Sequence, residues 1–442
     1  MSALPPGTRK PRLLQTLDWM RAPLPLLEDC QRRYGDTFTL RLLRWGDWVL
    51  LCDPDDVKRV FTAGDAVGVA VANPLLRPVL GSRSVMLLEE PEHMTRRRLM
   101  LPSFHGEAVA ADAAMMAEVA QREVAGWPVG EPFELWPRMQ AVTQEVVMRA
   151  VFGPEAKGLN LLRARLRALT EWMNTPRNLT KLAIYGPDRL ARSRGYREAM
   201  GPVEEAVLAE ARLRRKRPDA APMGVVTMLV QAEYEDGSPL SEHDLRDELL
   251  TLLTDGPTST SLAWTFERLM RNPEKLERAR EEVGSSDGDG AYLDAVIKET
   301  LRMRPPVPVV TRRLLAPLTL GGHDLPAGTV VAPCVPLIHN DPRNYDEPDH
   351  FLPERFLGRK TPTYTWIPFG GGTRRCLAAS YAEMEMKRVL RAVLATVDLE
   401  PVGERAEGMR KSAISFSPDR SARVIARPRG AGQLVDNALA AA

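Results

Sequence analysis

From about Pro91 to Met270, apolar residues return every three to four positions. That is the period of one helix face, and a stretch so long commits the chain to a mainly helical fold. Short runs depart from it. Thr37 to Leu42 and Trp48 to Cys52 are β-rich and bounded by turn residues, so they predict strands of a small sheet, followed by a helix capped by Asp53 and opening at Pro54. The class expected is therefore mainly α with small β-sheets (α+β). No linker or fixed-period repeat divides the 442 residues, so 1–442 is expected to be one domain, with 1–20 a lead-in and 430–442 a disordered tail.

One helix stands out. Ser241 with Asp244 three residues on makes a capping box, and Leu245, Leu249, Leu252, Leu253, Leu262, Phe266 and Leu269 then carry the period until Asn272-Pro273 stops it. This predicts a central helix of roughly 30 residues, well beyond the ~11 of an average helix. Its middle reads Asp255-Gly256-Pro257-Thr258-Ser259-Thr260, and Pro257 has no N–H to give the Leu253 carbonyl. Either a gap lined by hydroxyls opens inside one helix, or two helices meet there.

The net charge is +2, from 60 basic and 58 acidic residues, so no overall field draws the protein to nucleic acid or to an acidic membrane surface. Met1 to Arg21 has too short an apolar run for a signal peptide, and no later stretch approaches the ~18 apolar residues of a spanning helix. A soluble, cytoplasmic protein without an integral membrane segment is expected. Cys30, Cys52, Cys334 and Cys376 lack CxxC spacing and the density of a disulfide scaffold, so each is read alone.

The sharpest local feature is Phe369-Gly370-Gly371-Gly372-Thr373-Arg374-Arg375-Cys376-Leu377-Ala378. It runs into a helical pattern through Tyr381, Met384 and Leu390, which puts Cys376 in the first helical turn. Unpaired N–H groups, the helix dipole and the arginines would there favour thiolate, the form that binds metals. The glycines would let the backbone approach a flat cofactor. An anion-binding loop with a structural cysteine is the other reading, although the phosphate-loop pattern GxxxxGK[ST] is missing. Glu299-Thr300-Leu301-Arg302 lies on a helix from Tyr292 and allows an ion pair three residues apart. Exposed pairs of that kind are worth under ~1 kcal/mol. His93 and Arg97 also share a helix face, able to hold two anionic oxygens or to be a solvated basic turn.

Phe369 to Ala378 resembles the haem-binding loop of the cytochrome P450 family. The order Glu299/Arg302, then Pro353-Glu354-Arg355-Phe356, then the cysteine loop is similar to the family's, and the likeness runs from Tyr34-Gly35-Asp36 to the hairpin near Phe416. The resemblance implies a triangular helical prism with haem b between the central helix and the cysteine-bearing one. It implies Cys376 as the iron ligand, Phe369 and Gly370 in the loop that cradles the haem, and Arg374, His93, Arg97 and Arg312 at its propionates, with Arg313 competing for the last place. Glu299, Arg302 and Arg355 would form a network behind the haem. Ala378 stands where the family usually has Gly. The implied reaction inserts one oxygen atom of O₂ into a C–H or C=C bond.

The likeness breaks at the central helix. Most members carry an acid followed by a threonine, which deliver protons for O₂ activation; aligned on Gly256, this chain has Thr258 and Ser259. The alcohol is kept and the acid lost, leaving Asp255, four residues before Ser259, as a relay or as a cap of a broken turn. Three readings follow: O₂-dependent monooxygenation, a peroxide-using or rearranging enzyme, and a haem or ligand binder without turnover. A fatty-acid peroxide site would place an Arg beside Pro257, where Gly256 stands. No fused redox domain fits, so electrons would come from ferredoxin and ferredoxin reductase. Arg374, Arg375, Lys387, Arg388 and Arg391 offer a basic docking patch or a solvated face. The pocket segments Gly68 to Leu80, Leu169 to Tyr185, Val307 to Val310 and Ile414 to Phe416 are mostly apolar, with Arg77 and Arg177 as exceptions, which implies an apolar organic substrate.

Overall fold

Asp53 takes the N–H groups of Asp55 (2.8 Å) and Asp56 (3.2 Å) on one carboxylate oxygen. With Pro54 next, which has no N–H to leave unpaired, a helix starts at Pro54 and runs to Thr62. The computed structural model describes residues 4–69, 76–153, 159–216, 224–254, 257–285, 290–412 and 415–429. The two predicted strands form an antiparallel hairpin, Thr37–Leu42 as expected and the second at Gly46–Leu51, two residues earlier at its start and one at its end than Trp48 to Cys52. Val330–Pro333 joins it in parallel, Trp48 opposite Val330, and Arg312–Leu314 and Val67–Val69 complete five strands. The N-terminal segment belongs to this layer: Pro6 O accepts the Thr39 N–H at 2.8 Å, and Arg12–Arg21 is a helix.

The rest is helical, as the period predicts. The helix Ala379–Thr396 lies along Glu107–Ala125, and Thr258–Met270 packs on Leu135–Phe152, on Ala291–Met303 and on the Ala379 helix. Met116, Val142, Val146, Leu262, Phe266, Val296, Val389 and Leu390 fill the space between them as one buried core. Three short strands, Pro132–Glu134, Arg423–Pro428 and Val397–Pro401, close the far end. No described helix is long and apolar enough to cross a membrane.

The central helix forms as two. Ser241 and Asp244 make both bonds of the capping box, at 3.1 and 3.2 Å, and the first helix covers Glu242–Leu253. Thr254 then turns extended (ψ 121°), and Pro257 precedes a second helix, Thr258–Met270. The expected continuous helix of roughly 30 residues is not observed. Pro257 cannot donate backward and instead begins a new ladder, its carbonyl accepting the Ser261 N–H at 2.9 Å. Asp255 and Gly256 lie outside the described residues, as do 430–442.

Candidate functional site

The cysteine loop is closed by its own backbone: the Cys376 N–H donates to Phe369 O at 2.9 Å. Gly370 and Gly372 take positive φ (67° and 69°), which L side chains rarely adopt. Gly371 and Gly372 lie against the helix Pro54–Thr62. A Cβ on Gly371 would come within 2.2 Å of the Phe61 ring, and one on Gly372 within 2.4 Å of Phe61 O. The loop is thus moulded to Phe61, a partner no local pattern in the sequence reveals.

Two expectations about Cys376 are corrected. The helix begins at Ala379, so the cysteine sits ahead of it and not in its first turn. Its sulfur is also not electrostatically driven to thiolate. The Ala378 N–H and the fields of Arg375 and Arg97 favour the anion, but desolvation is the largest influence and pushes the thiol pKa up. Cys376 nevertheless keeps solvent-exposed surface.

Three arginines and a histidine gather around this loop. His93 is buried and sets Nδ1 2.7 Å from Glu90 Oε1, which leaves Nε2 for another partner. Arg374 donates to Leu88 O at 2.8 Å, while the Glu89 and Glu90 carboxylates stand at 3.8 and 3.7 Å, outside hydrogen-bonding range. Arg312 donates to the adjacent Thr311 carbonyl (3.0 Å) and lies over Phe61, 6.0 Å from the ring centre. Arg97 is half-buried and feels the field of Cys376. Burial lowers the pKa of all four, Arg312 to about 10, and they depress one another: Arg374 acts on His93 and Arg312, and Arg97 on Arg374. Partly buried arginines whose nearest carboxylates are not hydrogen-bonded to them are relieved by carboxylates placed among them. These residues fit an iron porphyrin, whose iron takes a sulfur ligand and whose two carboxylates take the cations. Arg313, the competitor of Arg312, is already bound to Glu89 Oε1 at 2.9 Å.

Behind the loop, Glu299 and Arg302 are wholly buried on the helix Ala291–Met303. Arg302 reaches Glu299 Oε2 at 2.8 Å and Oε1 at 2.9 Å, while Arg355 and the Leu352 N–H reach Oε1 at 3.2 and 3.0 Å. The spare donors of Arg302 go to the carbonyls of His339 and Pro348, each at 2.8 Å. His339 completes the connection. Its Nδ1–H donates to Arg302 O (3.0 Å) and its Nε2 accepts the Ile367 N–H (2.9 Å), and the Ile367 carbonyl in turn takes the Gly370 N–H at 3.0 Å. A chain of hydrogen bonds therefore runs from Glu299 to the cysteine loop. His339 stands in none of the sequence motifs.

A second buried charge group was equally hidden. Arg96 is 1% exposed, bound to Asp244 at 2.7 Å, Glu248 at 3.0 Å and the Tyr234 hydroxyl at 2.6 Å. Glu248 also accepts the Val85 N–H at 2.8 Å, and burial pushes its carboxyl up to about 8. These contacts brace the His93 helix against Glu242–Leu253. The available signal was Asp244 and Glu248, four apart on one face of a helix, with Leu245 and Leu249 beside them in the apolar period.

On the second central helix Ser259 is buried and Thr258 half-buried. Trp264 Nε1 donates to Phe416 O at 2.9 Å, fixing the helix to the hairpin Met409–Ser412/Ser415–Pro418. Asp255 lies outside the described residues, as do 70–75 and 414 of the expected pocket walls. Arg77 and Arg177 are exposed. The basic patch is smaller than expected: Arg374 turns inward to Leu88, and Lys387 pairs with Asp294 at 2.8 Å. Arg388 and Arg391 are half-buried, which leaves Arg375 as the exposed member.

Comparison with known proteins adds an independent line. The sequence model of the family described as Cytochrome P450 matches residues 4–421. The chain is 40% identical over 438 residues to a protein of Mycobacterium tuberculosis named cytochrome P450 135B1, covering 96% of this chain and 91% of that one. It is 36% identical over 440 residues to cytochrome P450 138 of the same organism, covering 96% and 97%. Among solved structures, retinoic acid bound cyanobacterial CYP120A1 matches with a TM-score of 0.84 at 22% identity, over 97% of this chain and 100% of that one. The cytochrome P450DA heme domain matches at 0.81 and 22%, over 98% and 99%. At such identity the two structures speak for the fold.

Proposed function

The chain belongs to the cytochrome P450 family, haem b oxidoreductases, and from that premise we propose that it inserts one atom of O₂ into an apolar organic molecule, by hydroxylation or epoxidation. We place it in the cytoplasm, drawing electrons from a separate ferredoxin and ferredoxin reductase. The observation that carries the reading is the gathering of His93, Arg97, Arg312 and Arg374 around the loop that presents Cys376, with Arg374 and Arg312 donating only to backbone carbonyls among the described residues.

In this reading Cys376 holds the iron, and the Ala378 N–H draws electron density from the sulfur and so sets how strongly it donates. Arg312, Arg374, Arg97 and the free Nε2 of His93 bind and orient the two propionates. Phe369 and Gly370 shape the loop, and Glu299, Arg302 and Arg355 hold it from behind. When bound, haem supplies the redox chemistry that activates O₂. The protein's part in that step is to hold a proton at a hydroxyl, Ser259 Oγ, with Thr258 beside it and Asp255 as the nearest acid to resupply it. The mostly apolar segments read from the sequence as pocket walls would bind the substrate and exclude water. Arg375, exposed on the cysteine loop, is where an acidic ferredoxin would begin to dock.

The test is spectroscopic. Ferric holoprotein is titrated with fatty acids, terpenes, steroids and aromatics, and the class that shifts its spin state is then turned over with ferredoxin, reductase and isotopically labelled O₂. A thiolate-type spectrum and one labelled oxygen in the product are expected. Product oxygen that comes instead from added peroxide would overturn the O₂-dependent reading, and haem without a thiolate signature would overturn the Cys376 assignment.

A further inference from the structure

Twelve large apolar side chains are exposed among the described residues, and five of them, Leu13, Leu14, Leu17, Met20 and Leu43, belong to one corner of the molecule. The helix Arg12–Arg21 is anchored by one face and exposed on the other. Gln15 and Trp19 point inward, Trp19 meeting Trp48 edge-on with 5.8 Å between ring centres. Leu13, Leu17 and Met20, four and then three residues apart, line the opposite, outward face. The hairpin turn extends this stripe, because the Leu43 N–H donates to Thr16 Oγ1 at 2.8 Å and so holds Leu43 beside the helix. Single exposed leucines are ordinary; a contiguous set on a helix already anchored by its other face marks an interaction surface.

Charge around the stripe indicates what it meets. Residues 9–21 and 41–47 together carry six cations (Arg9, Lys10, Arg12, Arg21, Arg41, Arg44) and two carboxylates (Asp18, Asp47), while the whole chain is only +2. The carboxylates are taken up by Lys10 and Arg12, each at 2.7 Å. Arg9, Arg21 and Arg44 are exposed at the edges of the stripe, without an acidic partner among the described residues. An apolar strip edged by unpaired arginines complements a surface that is negative outside and apolar just beneath. A near-neutral total had hidden this local field.

We propose that this corner docks the protein on the headgroup layer of an anionic phospholipid bilayer, with Arg12–Arg21 lying in the membrane plane, Leu13, Leu17 and Met20 in the interface, and Arg9, Arg21 and Arg44 on the phosphates. The holoprotein is sedimented with vesicles of phosphatidylcholine, with and without phosphatidylglycerol, at low and high salt. The wild type should pellet with the anionic vesicles, roughly tenfold less with phosphatidylcholine alone, and be released by salt. Two variants, Leu13→Ser/Leu17→Ser/Met20→Ser and Arg9→Glu/Arg21→Glu/Arg44→Glu, should each lose about tenfold in binding while keeping the haem spectrum of the wild type. Failure of the wild type to pellet, or unchanged pelleting of either variant, would overturn the proposal. So would a vesicle-free dimer that the serine variant dissolves, since the stripe would then join two copies of the chain.

Discussion

Arg302 lays two arms of its guanidinium on the two carboxylate oxygens of Glu299, at 2.8 and 2.9 Å, with neither side chain reached by solvent. Both residues lie on one helix, so the pair forms with that helix. Its other contacts, to Arg355, Leu352 and His339, then fix where the cysteine loop can sit.

Removing one member of such a group strands the rest. Glu299→Ala leaves Arg302 and the Leu352 N–H without their acceptor, a loss on the order of 3–5 kcal/mol. We expect the variant to be recovered without haem, measured as haem absorbance per unit protein. A fully loaded Glu299→Ala protein would contradict the role given to the network.

His339 makes the same region sensitive to acid. Burial, helped by the positive charge of Arg302, holds its pKa down at about 3, while both ring nitrogens are used in the neutral form. Unfolded histidine titrates near 6.5, so between pH 6.5 and 3 the unfolded state binds one more proton and stability falls as the pH drops. The whole window is worth on the order of 5 kcal/mol, about 1.4 kcal/mol per pH unit. Denaturant titrations at pH 7 and pH 5 should show the loss. His339→Gln should be less stable at pH 7 and should shrink the difference by about one proton; an unchanged pH slope would rule His339 out as its source.

Arg312 and Arg313 are neighbours with different engagements. Arg313 is spent on Glu89, whereas Arg312 donates only to the adjacent carbonyl and shares the field of Arg374. Arg312→Ala should speed transfer of haem to apomyoglobin roughly tenfold, the equivalent of ~1.4 kcal/mol. Arg313→Ala should have a smaller effect. The reverse order would move the propionate assignment to Arg313.

Ser259→Ala tests the proton route. The expected result is a normal substrate-induced spectral shift with product per electron pair lowered by about tenfold or more and the balance appearing as peroxide. Product yield equal to the wild type would place the proton donor elsewhere.

What could be read from the chain was whatever its neighbours in sequence decide. The caps at Asp53 and Ser241, the stop at Asn272-Pro273 and the crowded glycines before Cys376 act within a few residues, and they recur in the fold. What could not be read depends on partners far away. Nothing near Arg312 announces that Glu89 will claim its neighbour, and nothing near Gly371 predicts Phe61. His339 is one more histidine until Arg302 and Ile367 close on it. The split of the central helix was visible as a conflict: a strong apolar period argued for continuity and Pro257 against it. The covalent fact of a missing N–H prevailed.

The five-stranded sheet has a consequence for how the protein is made. Trp48 pairs with Val330, 282 positions later in the chain. Translation at ~5–20 residues per second separates their synthesis by roughly 15–60 seconds. During that time the hairpin Thr37–Leu42/Gly46–Leu51 has emerged with one edge unpaired, a template for association with another chain. Arg374 and Cys376 are made later still, so the nascent chain cannot assemble the whole haem site until its last fifth is translated. Chaperone dependence and haem supply late in synthesis should therefore set the yield of active protein more than the stability of the finished fold does.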